Sequence, residues 1–65
     1  MSMNGNFVIY DRTGHTLARR RTLRRAFLVA KAFAKSYGSI IGVVEAFEDG
    51  DEEPWGWVNA EGWLA

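Results

Sequence analysis

The sixteen residues from Thr22 to Tyr37, TLRRAFLVAKAFAKSY, fit one regular conformation. Set at about 100° per residue, Thr22, Leu23, Ala26, Phe27, Val29, Ala30, Phe33, Ala34 and Tyr37 fall on one arc. Arg24, Arg25, Leu28, Lys31, Ala32, Lys35 and Ser36 fall on the other. Ala, Leu, Arg and Lys lose little side-chain freedom in a helix, and only Val29 is β-branched inside the stretch. The pattern predicts a helix with an aromatic-rich inner face and a basic outer face. Thr22 is the N-cap candidate and Gly38 is placed to end the helix in a left-handed turn. Arg25 stands where a capping box would need Glu or Gln. Arg24 and Arg25 also lie in the first turn, where the helix dipole disfavours cations by about 0.3–1 kcal/mol each. Helix propensity does not require that arrangement, so an acidic group of the fold or an outside anion is expected to offset it.

A helix with one apolar face needs a second layer, and the flanking segments supply strands. Phe7–Tyr10 is β-prone, Asp11-Arg12-Thr13-Gly14 reads as a turn, and His15 to Arg19 or Arg20 returns as a second strand. Ile40–Phe47 is the strongest strand signal. An acidic loop, Glu48–Pro54, leads to a fourth strand from Trp55 to Val58 or Asn59. Asn59–Gly62 is a further turn, and Trp63 and Leu64 are expected to tuck against an apolar edge. Met1–Asn6 reads as a loose end. The expected fold is α+β: β-hairpin, helix, β-hairpin, a mostly antiparallel four-stranded sheet with one helix on one face. Residues 1–65 form a single small domain.

Strand alternation divides the side chains between two faces. Phe7 and Ile9 are expected to meet the helix, with Leu17 beside them, while Val8 and Tyr10 lie on the far face. Trp55 and Trp57 share a face by the same rule. Gly42 marks a bulge or a close approach of the helix. One helix covers only one face, and the strands carry apolar residues on both. That predicts a homodimer through the open sheet face, which would add stability to a domain this small.

Composition narrows the chemistry. The chain has no Cys and one His, His15, which excludes disulfides, thiolate metal sites and multi-histidine sites within one chain. Asp11 and His15 flank a turn, so a turn Asp and a surface His are expected rather than an acid–base pair. No Ser, Lys or glycine-rich loop has an activating neighbourhood or phosphate-binding spacing. An enzyme is not expected, nor any cofactor. Asp49, Asp51, Glu52 and Glu53 crowd around Gly50, but the spacing does not match a calcium loop, and no metal site is expected. No apolar run approaches the roughly 20 residues of a membrane span, and the first residues lack the pattern of a secretory signal. The expected location is the cytoplasm. Small size and absent Cys suit a short bacterial or phage accessory protein.

The formal net charge of zero hides a division. Residues 1–37 hold all eight Lys and Arg and a single acid, Asp11, for a net +7; residues 38–65 hold the other seven acids, for −7. Arg19, Arg20, Arg21, Arg24, Arg25, Lys31 and Lys35 lie on the helix or just before it. Arg24, Lys31 and Lys35 form one row within about 40°, with Leu28 exposed among them. Arg outnumbers Lys there by five to two, which favours bidentate contacts with carboxylates or phosphates. The leading expectation is a protein-interaction module of adaptor or inhibitor type. Its contact residues would be Arg20, Arg21, Arg24, Arg25, Leu28, Lys31 and Lys35, with Trp55, Trp57 and Trp63 as aromatic anchors, and its partner an acidic protein surface or a second copy. The alternative is DNA or RNA held through phosphates by the same cationic face.

Overall fold

The computed structural model describes residues 6–64. The elements are β1 (Asn6–Tyr10), β2 (Thr16–Arg20), α1 (Leu23–Tyr37), β3 (Ile41–Ala46), β4 (Glu52–Asn59) and β5 (Gly62–Trp63). The sheet is antiparallel, in the order β2-β1-β3-β4-β5. It has five strands rather than the expected four, because Gly62 and Trp63 return along the edge of β4. Met1–Gly5 of the expected loose end lie outside the described residues. Asn6 opens β1 and pairs with Ala46.

The two longer hairpins turn in the same way. Asp11 N–H donates to His15 O (3.0 Å) and Gly14 N–H to Asp11 O (3.0 Å), with Gly14 at φ 92°. In the second, Phe47 N–H donates to Asp51 O (2.8 Å) and Gly50 N–H to Phe47 O (3.1 Å), with Gly50 at φ 94°. Each loop needs one residue at positive φ, and glycine is the residue that adopts it without strain. Asp11 Oδ1 accepts from Thr13 Oγ1 (2.6 Å), Thr13 N–H (2.9 Å) and His15 N–H (2.9 Å). Bonding to the Thr13 hydroxyl, then to the His15 N–H, holds the Asp11 carboxyl below its usual range. The second turn is tighter than expected: Glu52, Glu53 and Pro54 belong to β4, not to the loop.

Helix α1 begins and ends where its caps place it. Thr22 is extended (φ −123°, ψ 152°), and its Oγ1 accepts from Arg25 N–H (3.2 Å). Gly38 takes φ 66°, and its N–H and that of Ser39 both donate to Ala34 O (2.9 and 3.3 Å). The helix carries the chain from edge strand β2 across β1 to β3.

The innermost stripe of α1 is alanine, not aromatic. Ala26, Ala30 and Ala34 are buried against a sheet face made by Ile9, Ile41, Val43 and Val58, each of those four fully enclosed. Burying a side chain of that size contributes about 1.5–3 kcal/mol. Small residues let the helix lie low on a layer of branched ones, and the rings must go to its flanks. Phe27 and Phe33 are half-buried beside the ridge, with Leu17, Ala18, Leu23 and Val29 completing the rim.

Two irregularities redistribute the aromatic residues. The β3–β4 register shifts between Val43, opposite Gly56, and Val44, opposite Pro54, which leaves Trp55 as an extra residue. Trp55 and Trp57 therefore do not share a face. Trp55 lies on the helix side, with ring centroids 6.3 Å from Phe7, while Trp57 lies on the open side, 5.5 Å from Tyr10. Gly42 does mark a close approach, but by the Tyr10 ring across the open face rather than by the helix.

Candidate interaction surface

The outer flank of α1 next to β4 and β5 gathers half of the expected contact residues. It is built from the sheet upward. Gly56, at φ 137°, leaves the helix side of β4 bare, and the Trp63 ring fills that space, 3.6 Å from where a β-carbon would stand. Trp63 is held there by the pairing of β5 with β4 and stays 40% exposed. It stacks on Phe27, with centroids 5.3 Å apart and planes at 25°. Lys31 Nζ then lies 5.9 Å from the Phe27 centroid. Sheet, indole, phenyl ring and ammonium thus run outward in sequence, which brings the cation row beside an aromatic platform.

Arg24, Leu28, Lys31 and Lys35 span about 60° of the helix around that platform. Leu28 is 54% exposed, the most exposed large apolar side chain among the described residues. Arg20 Nη1 donates to Arg19 O, 2.6 Å. Arg24 and Arg25 occupy the first helical turn with no acidic residue in it. Their unfavourable place on the dipole is not offset by a local carboxylate.

The remaining expected residues lie elsewhere. Arg20 is on β2, opposite Phe7, and Arg21 in the bend before the helix. Trp55 is exposed at the bulge and its Nε1–H donates to Glu45 Oε1 (3.1 Å). Trp57 is on the opposite side of the sheet, part-buried beside Tyr10. Leu64 was expected only as an edge residue; it is 44% exposed, with its N–H bonded to Trp57 O (2.9 Å). Phe27 was expected in the core and instead supplies the stacking base for Trp63. The signal that could have found this is Gly56 between two Trp residues: a strand glycine leaves room for a ring from a neighbouring strand.

The charges of the two halves meet in space. Phe7 pairs with Arg20 on one side and with Glu45 on the other, and Glu45 pairs with Glu53. A basic and an acidic edge therefore share the end of the sheet where the helix begins. At the other end, Lys35 and Glu61 line one shallow cleft of about 380 Å³ with Ala34, Gly38, Ser39 and Asn59. Among the described residues, no group of three His, Asp or Glu is placed to hold a metal ion, and no helix is long and apolar enough to cross a membrane. No protein-family model, curated protein or solved structure matches the chain. The molecule is a small, compact α+β domain with exposed aromatic and apolar side chains.

Proposed function

We propose that this domain is a non-catalytic protein-interaction module that docks an acidic surface on the α1–β5 flank. Trp63, seated on Phe27, and Leu28 form the apolar centre. Arg24, Arg25, Lys31 and Lys35 form the cationic rim, with Arg20 and Arg21 extending it past the start of the helix. The observation that carries this reading is the exposed Trp63–Phe27 stack lying beside the cation row of α1, with Lys31 Nζ 5.9 Å from the Phe27 centroid. Aromatic anchors surrounded by charged rims are where interface energy concentrates, and Arg suits bidentate contact with carboxylates.

Phosphate binding is the alternative for the same row. A nucleic-acid surface favours continuous positive potential, but carboxylates flank this row at both ends, Glu45 and Glu53 at one and Glu61 at the other. That interleaving favours a protein partner with its own mixed rim.

The test is fluorescence titration with a synthetic peptide of alternating Glu and Leu, run beside single-stranded and duplex DNA and RNA of equal charge. Micromolar peptide binding is expected, weakened about tenfold or more by Trp63→Ala and by Lys31→Glu, each replacing an exposed or half-exposed side chain. Peptide binding that ignores both variants, or tighter salt-dependent binding of a nucleic acid lost with Lys31→Glu, would replace this reading with the alternative.

A further inference from the structure

Among the described residues, three segments lie along the edges of the sheet: β2 on one side, and the first part of β4 and then β5 on the other. On β2, Arg19 and Arg20 are exposed, and the Arg20 guanidinium already donates to Arg19 O (2.6 Å). On β4, Pro54 has no N–H to give, and the bulge at Trp55 interrupts the ladder. Charged side chains, proline and bulges keep a strand edge from pairing with another chain. Residues 62–64, along β5, carry none of these guards.

The pairing of β5 fixes which of its backbone groups stay free. Leu64 N–H donates to Trp57 O (2.9 Å), so those two residues form a bonded pair. Bonded and unbonded pairs alternate along an antiparallel ladder, so the next pair, Trp63 with Val58, is unbonded. Val58 turns its backbone groups toward β3, where it pairs with Ile41. Trp63 turns its N–H and C=O away from the sheet. The residue that presents the exposed ring of the α1–β5 flank therefore also presents a backbone donor and acceptor.

We infer that the acidic partner docks as an extended strand on the outer edge of β5, bonded to the N–H and C=O of Trp63. The inference rests on the docking function proposed for that flank, and it adds the partner's conformation and residue pattern. The partner residue opposite Trp63 has its side chain on the helix side, beside the indole, where an apolar group fits. The residues two places before and after it share that side, each about 6.6 Å away. On the helix, Arg24 and Lys31 stand about 4.5 Å before and about 6 Å after the level of Phe27. Trp63 stacks on Phe27, so carboxylates at those two places come level with the two cations. The two intervening residues fall on the open side, where Leu64, opposite Trp57, is exposed, and apolar residues suit them. The pattern is acid, three apolar residues, acid, in extended form.

The probe is a blocked peptide centred on Glu-Val-Leu-Val-Glu, in three forms: unmodified, N-methylated at the central Leu, and N-methylated at the Val before it. In the docked register the Leu N–H faces Trp63 and the Val N–H faces solvent. In fluorescence titration, methylation at Leu is expected to weaken binding about tenfold, and methylation at Val less than about twofold. In the free domain the Trp63 amide is expected to exchange fast beside a slow Leu64 amide, and near-saturating unmodified peptide slows Trp63 about tenfold. Methylated forms that bind alike, or a Val form that binds the more weakly, overturn strand pairing and leave docking on the flank standing. So does a Trp63 amide that is protected in the free domain or stays fast in the complex. An unmodified peptide that does not bind, or that binds Trp63→Ala equally well, removes the docking function itself and this inference with it.

Discussion

A β-carbon at Gly42 would stand 2.5 Å from Cζ of Tyr10 and 2.8 Å from its hydroxyl oxygen. The backbone there does not have positive φ, so the glycine is present for the ring and not for the chain. Tyr10 lies across the bare backbone and meets Trp57 edge-on, at 70° between planes. On the other face Trp63 does the same over Gly56. Each glycine gives up strand propensity and lets a neighbouring ring cover the gap. Gly42→Ala is expected to lift Tyr10 away from Trp57 and to destabilise the fold by about 1–3 kcal/mol. In a Tyr10→Thr background the same change should cost far less, because the ring that it strikes is gone. Chemical denaturation of the four proteins of this cycle measures the coupling; equal costs in the two backgrounds would show that Tyr10 is not what Gly42 accommodates.

At the scale of elements, α1 is fixed by its caps and by its alanine ridge. Ala30→Leu forces a branched side chain between α1 and a sheet layer that has no space, and should cost about 1–3 kcal/mol, a fall of several degrees in Tm. Ala32→Leu, on the exposed side of the same helix, should stay within about 0.5 kcal/mol of wild type. Thermal unfolding of both distinguishes a ridge from a helix that merely prefers alanine, which would respond alike to the two. The helix limits were legible in Thr22 and Gly38, because caps are local chemistry. The ridge was less so. Ala26, Ala30 and Ala34 fall on the inner arc by spacing alone, yet Phe27 and Phe33 on the same arc offer more area, and only the closeness of a Val- and Ile-rich sheet gives the centre to the small residues. The two hairpin turns were legible in their Gly positions. The bulge at Trp55 was not, since strict alternation puts Trp55 and Trp57 together and one extra residue separates them. Strand β5 escaped because a two-residue strand has no period to detect.

For the whole molecule, the division of charge along the chain becomes a division between sheet margins and between the two flanks of one end. The expected contact residues split accordingly. Leu28, Lys31, Lys35, Arg24 and Trp63 converge, and that convergence was half legible: the cation row follows from helix geometry, but its aromatic platform depends on β5. Trp57 belongs to the other face, part-buried beside Tyr10. The domain thus exposes a charged aromatic flank beside α1, while the opposite sheet face keeps its larger apolar side chains part-buried or buried.

The most direct measurement is a heteronuclear NMR titration of the domain with the Glu–Leu peptide, following the indole N–H signals of Trp55, Trp57 and Trp63. The account predicts that the Trp63 indole and the amides of residues 24–35 shift together and saturably, while the Trp57 indole stays in place. Shifts centred on Trp57 and Tyr10, with the helix unmoved, would contradict it.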